Sequence, residues 1–156
     1  MMLNVRPAKG DEHAFAWPMY QSYISDHIFP KHEFAAPKRA WLSDEEDKFQ
    51  KAWQQQESYI IEIDGTSVGW LSISKLNNKL TIQNIFIDEA WQAKGIGDRI
   101  IHEMIPTWKT EKRVVEIPVH MGGPLAAEIE STLRNLGFSP TGDDGLVRLM
   151  TANWSR

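Results

Sequence analysis

Cysteine is absent from all 156 residues. That excludes disulfides, thiolate nucleophiles, iron–sulfur clusters and cysteine-ligated zinc together. Long apolar runs are missing too. Nothing approaches the ~20 residues a membrane helix needs, and the start Met1-Met2-Leu3-Asn4-Val5-Arg6 lacks a signal peptide's apolar stretch. The expected location is the cytoplasm, with no membrane partner. Positive charge is scarce, 17 Lys and Arg against 21 Asp and Glu for a balance of −4. A chain whose main task is to grip nucleic-acid phosphate needs the opposite balance, so no nucleic-acid partner is expected. Low-complexity tracts and internal repeats are also lacking, and 42% hydrophobic against 24% charged residues excludes long disorder. What remains is one ordinary domain, residues 1–156, long enough for a sizeable core.

Periodicity supplies its elements. Leu3-Asn4-Val5-Arg6 alternates and predicts a short strand ended by Pro7. From Asp11 to about Ile24, Phe15, Met19, Tyr20 and Tyr23 recur at helical spacing. Ser25 to Ala40, with Pro30 and Pro37, reads as an irregular loop with room for a turn of helix. His27 and His32 stand there with Asp26 and Glu33, a loose ligand composition without a recognised spacing. They read as solvated side chains, and no metal is expected. A second helix is predicted to open at Ser43, where Glu46 completes a capping box, and to run to about Gln55. Asp44-Glu45-Glu46-Asp47 then falls in its first turn, where negative charge suits the dipole and argues little for a cationic substrate.

Strands follow. Tyr59 to Ile63 meets the turn pair Asp64-Gly65, Val68 to Ser74 returns, and after Asn77-Asn78 the stretch Leu80 to Ile87 completes a meander. Ile96, Ile100, Ile101, Met104, Ile105 and Trp108 make one apolar stripe on a helix that Pro106 is expected to bend near its end. Val114 to Val119 is a strand, and Pro124 to Leu136 a helix closed by Gly137. Phe138 opens a last strand pair around Gly142-Asp143-Asp144-Gly145, with Leu146 to Thr151 as the final strand. The order β-α-α-β-β-β-α-β-α-β-β predicts a mixed α/β domain with a central mixed sheet. Trp53, Trp70 and Trp108 lie on periodic faces and are expected in the core. The serines lack a nucleophile-elbow context, and His13 and His102 read as surface residues.

The richest stretch runs from Ile85-Phe86-Ile87-Asp88 through Trp91 to Gln92-Ala93-Lys94-Gly95-Ile96-Gly97. A strand feeds a short loop, and the loop opens an amphipathic helix with two glycines at its start. Backbone N–H groups approach a bulky anion closely only where no Cβ intervenes, and a helix N-terminus adds free N–H groups and a positive dipole end. The ATP-type loop needs Gly-Lys-Ser or Gly-Lys-Thr, which does not occur, and the dinucleotide fingerprint needs glycine at Ile100. Two glycines alone also make an ordinary tight turn.

Gln-x-x-Gly-x-Gly, here Gln92 to Gly97, resembles the acyl-CoA pyrophosphate motif of the GNAT superfamily of N-acetyltransferases. The preceding Ile-Phe-Ile-Asp, the element order and Leu136-Gly137-Phe138 are similar to that family as well. The resemblance implies that acetyl-CoA is co-substrate and that an amine acceptor attacks its thioester directly. Backbone groups of Ile85, Phe86 and Ile87 would hold the pantetheine and the oxyanion, and those of Gln92, Ala93, Lys94, Gly95, Ile96, Gly97 and Asp98 the pyrophosphate. Pro118 fits a splay between the strands that the pantetheine arm enters. The family's acceptor pockets lie between the first two helices, next to Trp41, which reads equally as a substrate contact or a loop anchor. Dimers are common in the family, and the residues do not decide whether this chain is a homodimer. Two departures stand out. Leu133 occupies the place of the tyrosine that commonly protonates the leaving thiolate, so solvent, Tyr20 or Tyr23 would have to serve. The base is unassigned, and His120, with Glu116 on the same strand face, is the candidate. Asp98 puts a negative charge beside the expected pyrophosphate. The alternatives are a CoA-binding domain with little or no catalysis, or a binding module whose glycines are only structural.

Overall fold

The computed structural model describes residues 2–28, 37–92, 94–121 and 126–155, with the backbone alone for His27, Ile28, Gln92 and His120. In chain order the elements are β1 (Leu3–Pro7), α1 (His13–Tyr23), α2 (Lys38–Gln55), β2 (Glu57–Ile63), β3 (Thr66–Leu76), β4 (Lys79–Ile87), α3 (Glu89–Gln92), α4 (Ile96–Thr110), β5 (Val114–His120), α5 (Ala126–Asn135), β6 (Ser139–Asp143) and β7 (Val147–Asn153). The strands form one mixed sheet in the order β1-β2-β3-β4-β5-β7-β6, with β4 and β5 parallel. This is the mixed α/β architecture expected from the pattern. Pro30, His32 and Glu33 lie outside the described residues, as do Pro124 and Leu125.

The residues fall into two compact units, Met1–Ser72 with Phe86–Asp88, and Ile73–Ile85 with Glu89–Arg156. In the first, Asp64 and Gly65 both take positive φ, 49° and 84°, the turn that matches the twist of a two-residue hairpin. β1 runs antiparallel to β2, and Pro7, its last residue, sits opposite Tyr59. The Arg6 guanidinium donates to both carboxylate oxygens of Glu12 at 2.8 Å and pairs with Glu62 at 3.1 Å. Those hydrogen bonds hold the Glu12 carboxyl down at about 2. Ala16, Phe49, Trp53, Ile60 and Trp70 form the core of this unit.

One sequence expectation needs correcting here. α2 does not open at Ser43. Its N-cap is Pro37 in an extended conformation, φ −60° and ψ 150°, and Lys38, Arg39 and Ala40 are already helical. These are good helix formers that need no polar cap, so a Ser-x-x-Glu pair inside the helix imitated its start. The acidic run Asp44–Asp47 therefore lies beyond the first turn, and Trp41 belongs to α2 rather than to a loop. The turn of helix for which the stretch from Ser25 left room is found at its start, where Ile24–Ile28 continues α1 as a π-helical turn.

The second unit is organised by α4. Ile96, Ile100, Ile101, Ile105 and Trp108 are buried along one face, and the helix runs on through Pro106 to Thr110. α5 ends in the two-bond motif typical of a glycine stop. The Phe138 N–H donates to the Leu133 carbonyl at 2.9 Å, Gly137 N–H to Arg134 at 3.2 Å, and Gly137 takes φ 101°. β5 pairs with β7 along all seven of its residues, including Pro118 opposite Leu149. Its parallel ladder with β4 is much shorter, Lys79–Thr81 against Val114–Glu116. Pairing toward β4 thus ends before Pro118, which has no N–H to contribute.

Candidate active site

The turn between β4 and α4 is shaped by its glycines. Gly95 is the N-cap of α4 with φ 68° and ψ 24°, a left-handed conformation that costs a glycine nothing. Gly97 is different. It is the second residue of a regular helix, where glycine is less favourable than alanine by roughly 0.5–1 kcal/mol. A Cβ built there meets no atom of the described residues within 4 Å. Neither backbone conformation nor internal packing asks for glycine at this position.

Among the described residues no side chain caps α4. The first helical N–H groups, those of Ile96, Gly97 and Asp98, have no intrahelical acceptor and lie at the positive end of a 15-residue helix. The Ile96 side chain at this turn is buried, 1% exposed. The Lys94 ammonium lies 4.5 Å over the Trp91 ring. The Asp98 carboxylate accepts the Thr132 hydroxyl at 3.2 Å. Gln92 ends α3, and Ala93 lies outside the described residues. Donors without acceptors among the described residues, an open approach and a nearby cation together suit a phosphate-bearing ligand. The residues present therefore fit a CoA pyrophosphate.

Ile85, Phe86 and Ile87 form the end of β4, each half-buried. Gly69 of β3 lies against Phe86 and Ile87, and a Cβ there would collide with the Phe86 carbonyl oxygen and touch the Ile87 side chain. Phe86 stacks on Trp70 with centroids 5.5 Å apart and an interplanar angle of 13°. Tyr20 and Tyr23 meet Phe86 edge-on at 6.0 and 5.5 Å. Burial raises both phenols, Tyr23 to about 12, so both keep their protons at neutral pH. Between α1 and α2 a groove of about 510 Å³ opens between Trp17, Gln21, Arg39, Leu42 and Glu46. That volume is of the size that holds small molecules.

The residues read as acid–base groups are less tightly gathered. Glu116 forms the last β4–β5 pair with Thr81, and its carboxylate is 3.1 Å from the Lys79 ammonium. His120 ends β5 opposite Val147. Leu133 and Phe138 are both buried in the core, each 2% exposed. Thr132, one residue earlier, is the functional candidate that sequence reasoning missed. Nothing in its local pattern marks it, because its partner Asp98 stands 34 residues away.

Residues 17–126 match the model of the acetyltransferase (GNAT) family. The chain belongs to that family. It is an acyl-CoA-dependent N-acyltransferase, and acetyl-CoA is its co-substrate. Solved structures of similar fold agree with this acetyltransferase over nearly its whole length. The PaiA N-acetyltransferase of Thermoplasma acidophilum, in complex with coenzyme A, is 14% identical with a TM-score of 0.67, covering 98% of this chain and 99% of its own. YncA of Salmonella typhimurium, with its cofactor acetyl-CoA, is 14% identical with a TM-score of 0.66, covering 100% and 96%. The ribosomal-protein-S18-alanine N-acetyltransferase of Escherichia coli is 16% identical with a TM-score of 0.61, covering 99% and 96%. No curated protein matches the sequence. No described helix is long and apolar enough to cross a membrane.

Proposed function

We propose that this acetyltransferase, acting as a single domain, moves the acetyl group of acetyl-CoA to the primary amine of a small molecule or a peptide by direct attack. The observation that carries the cofactor site is Gly97, a helical glycine that neither its conformation nor its neighbours require. In this reading the backbone N–H groups from Gln92 to Asp98 hold the pyrophosphate. The backbone of Ile85, Phe86 and Ile87 lines the pantetheine and supplies the oxyanion's hydrogen-bond donor. Acetyl-CoA itself supplies the activated acyl carbon.

The chain's remaining tasks are to take a proton from the amine and to return one to the thiolate. His120 is the proposed base, acting through water at the end of β5, where the strand has left β4. Glu116 shares its strand face, but its bond to Lys79 favours an orienting part over proton uptake. Leu133 offers no proton, and Tyr20 and Tyr23, both against Phe86, are the nearest phenols to the proposed acyl site. Loss of a general acid typically lowers a rate by ~10²–10⁴ without abolishing it.

The direct test follows CoA thiol release with acetyl-CoA and a panel of amino acids, polyamines, arylalkylamines and short peptides. Release that depends on one amine class and falls in His120→Ala is the expected result. Tight acetyl-CoA binding with no release across the panel would overturn transfer and leave the CoA-binding alternative that Leu133 favours.

A further inference from the structure

We propose that Thr132 is a positioning residue that holds the Asp98 carboxylate away from the anion seat at the start of α4, so that the cofactor's phosphates and not the protein's own carboxylate occupy it. The inference rests on the reading that those phosphates use this helix end.

Asp98 is the third residue of a 15-residue helix. An acidic side chain there normally reaches back to the uncapped N–H groups, because the side chain tilts toward the N-terminus and the dipole attracts it. Asp98 does not do so, and among the described residues α4 carries no side-chain cap. Its Oδ2 instead accepts the Thr132 hydroxyl, across from α5, at 3.2 Å. Among the described residues Thr132 is its only hydrogen-bond partner. Swung back, the carboxylate would compete for the N–H groups of Ile96 and Gly97 and place a like charge beside the incoming phosphates. The hydrogen bond to Thr132 turns an autoinhibitory residue into a spectator. A hydroxyl on α5 thereby sets how tightly α4 takes an anion.

The test is a double-mutant cycle read by calorimetric titration with CoA, using wild type, Thr132→Val, Asp98→Ala and the double variant. Valine keeps the shape and the β-branch and removes only the hydroxyl. The latch is worth no more than one hydrogen bond, so Thr132→Val should raise the Kd about two- to tenfold. Asp98→Ala should lower it several-fold, on the order expected for removing one exposed like charge. In the Asp98→Ala background Thr132→Val should change nothing, and Thr132→Ser should bind like wild type. Equal weakening by Thr132→Val in both backgrounds would show a merely structural part and overturn the proposal, as would no weakening in either. If wild type binds no CoA species, the cofactor site itself is wrong. Wild-type binding with no effect of Thr132→Val sinks this proposal alone.

Discussion

Two glycines, Gly69 and Gly97, face opposite demands. At Gly69 the chain itself requires the missing side chain, since a Cβ would strike the Phe86 carbonyl and the Ile87 side chain. At Gly97 the described residues require nothing, and the helix would be better served by alanine. The first glycine is explained by packing and needs no ligand. The second is explained by no contact among the described residues, and the proposed function reads it as room for a ligand to come close. A glycine is informative about binding to the degree that the fold fails to account for it.

Substitutions break or sharpen this contrast in a definite order. Gly69→Ala should be the most damaging, about 3 kcal/mol or more, because a backbone carbonyl cannot step aside as a side chain can. Urea unfolding would read it as a lower midpoint, and unchanged stability would mean β3 and β4 yield more easily than their contact implies. Leu133→Tyr tests a place the chain has filled with its own core. It should cost about 1–3 kcal/mol by overpacking, and a gain in thiol-release rate without that loss would contradict the assignment of Leu133 to the core. Gly97→Ala should have the opposite sign, a gain of roughly 0.5–1 kcal/mol in the free protein. The smallest effect concerns Glu12. Its folded pKa of about 2 lies below the usual 4.5, so its stabilising contribution is fully present above that value and is lost as pH falls toward 2. Glu12→Gln should lower stability modestly at neutral pH, where the paired carboxylate contributes, and flatten the acid limb so that its difference from wild type vanishes as pH falls toward 2, which acid unfolding followed by circular dichroism would show.

The same contrast explains what could be read from the sequence. The apolar stripe of α4 and the Asp64-Gly65 turn were legible because each depends on local spacing. The two glycines after Gln92 were legible as a motif. The start of α2 was not, because Ser43 and Glu46 satisfy the capping pattern inside a helix that Pro37 begins. Gly69 was silent, since a strand glycine gives no sign of which backbone it will meet. The Thr132–Asp98 bond was silent too, because it exists only once α4 and α5 have packed. Of the acid–base groups, the sequence could place Glu116 and His120 on one strand face but could not show that Lys79 already holds Glu116.

The most direct test of the central claim is calorimetric titration of wild type and Gly97→Ala with acetyl-CoA, each paired with a melting curve. The expected result is micromolar binding by wild type, weakened about tenfold or more in the variant, with a melting temperature that stays level or rises. Equal affinity in the two proteins would contradict the account, for Gly97 would then be a glycine without a ligand as well as without an internal reason.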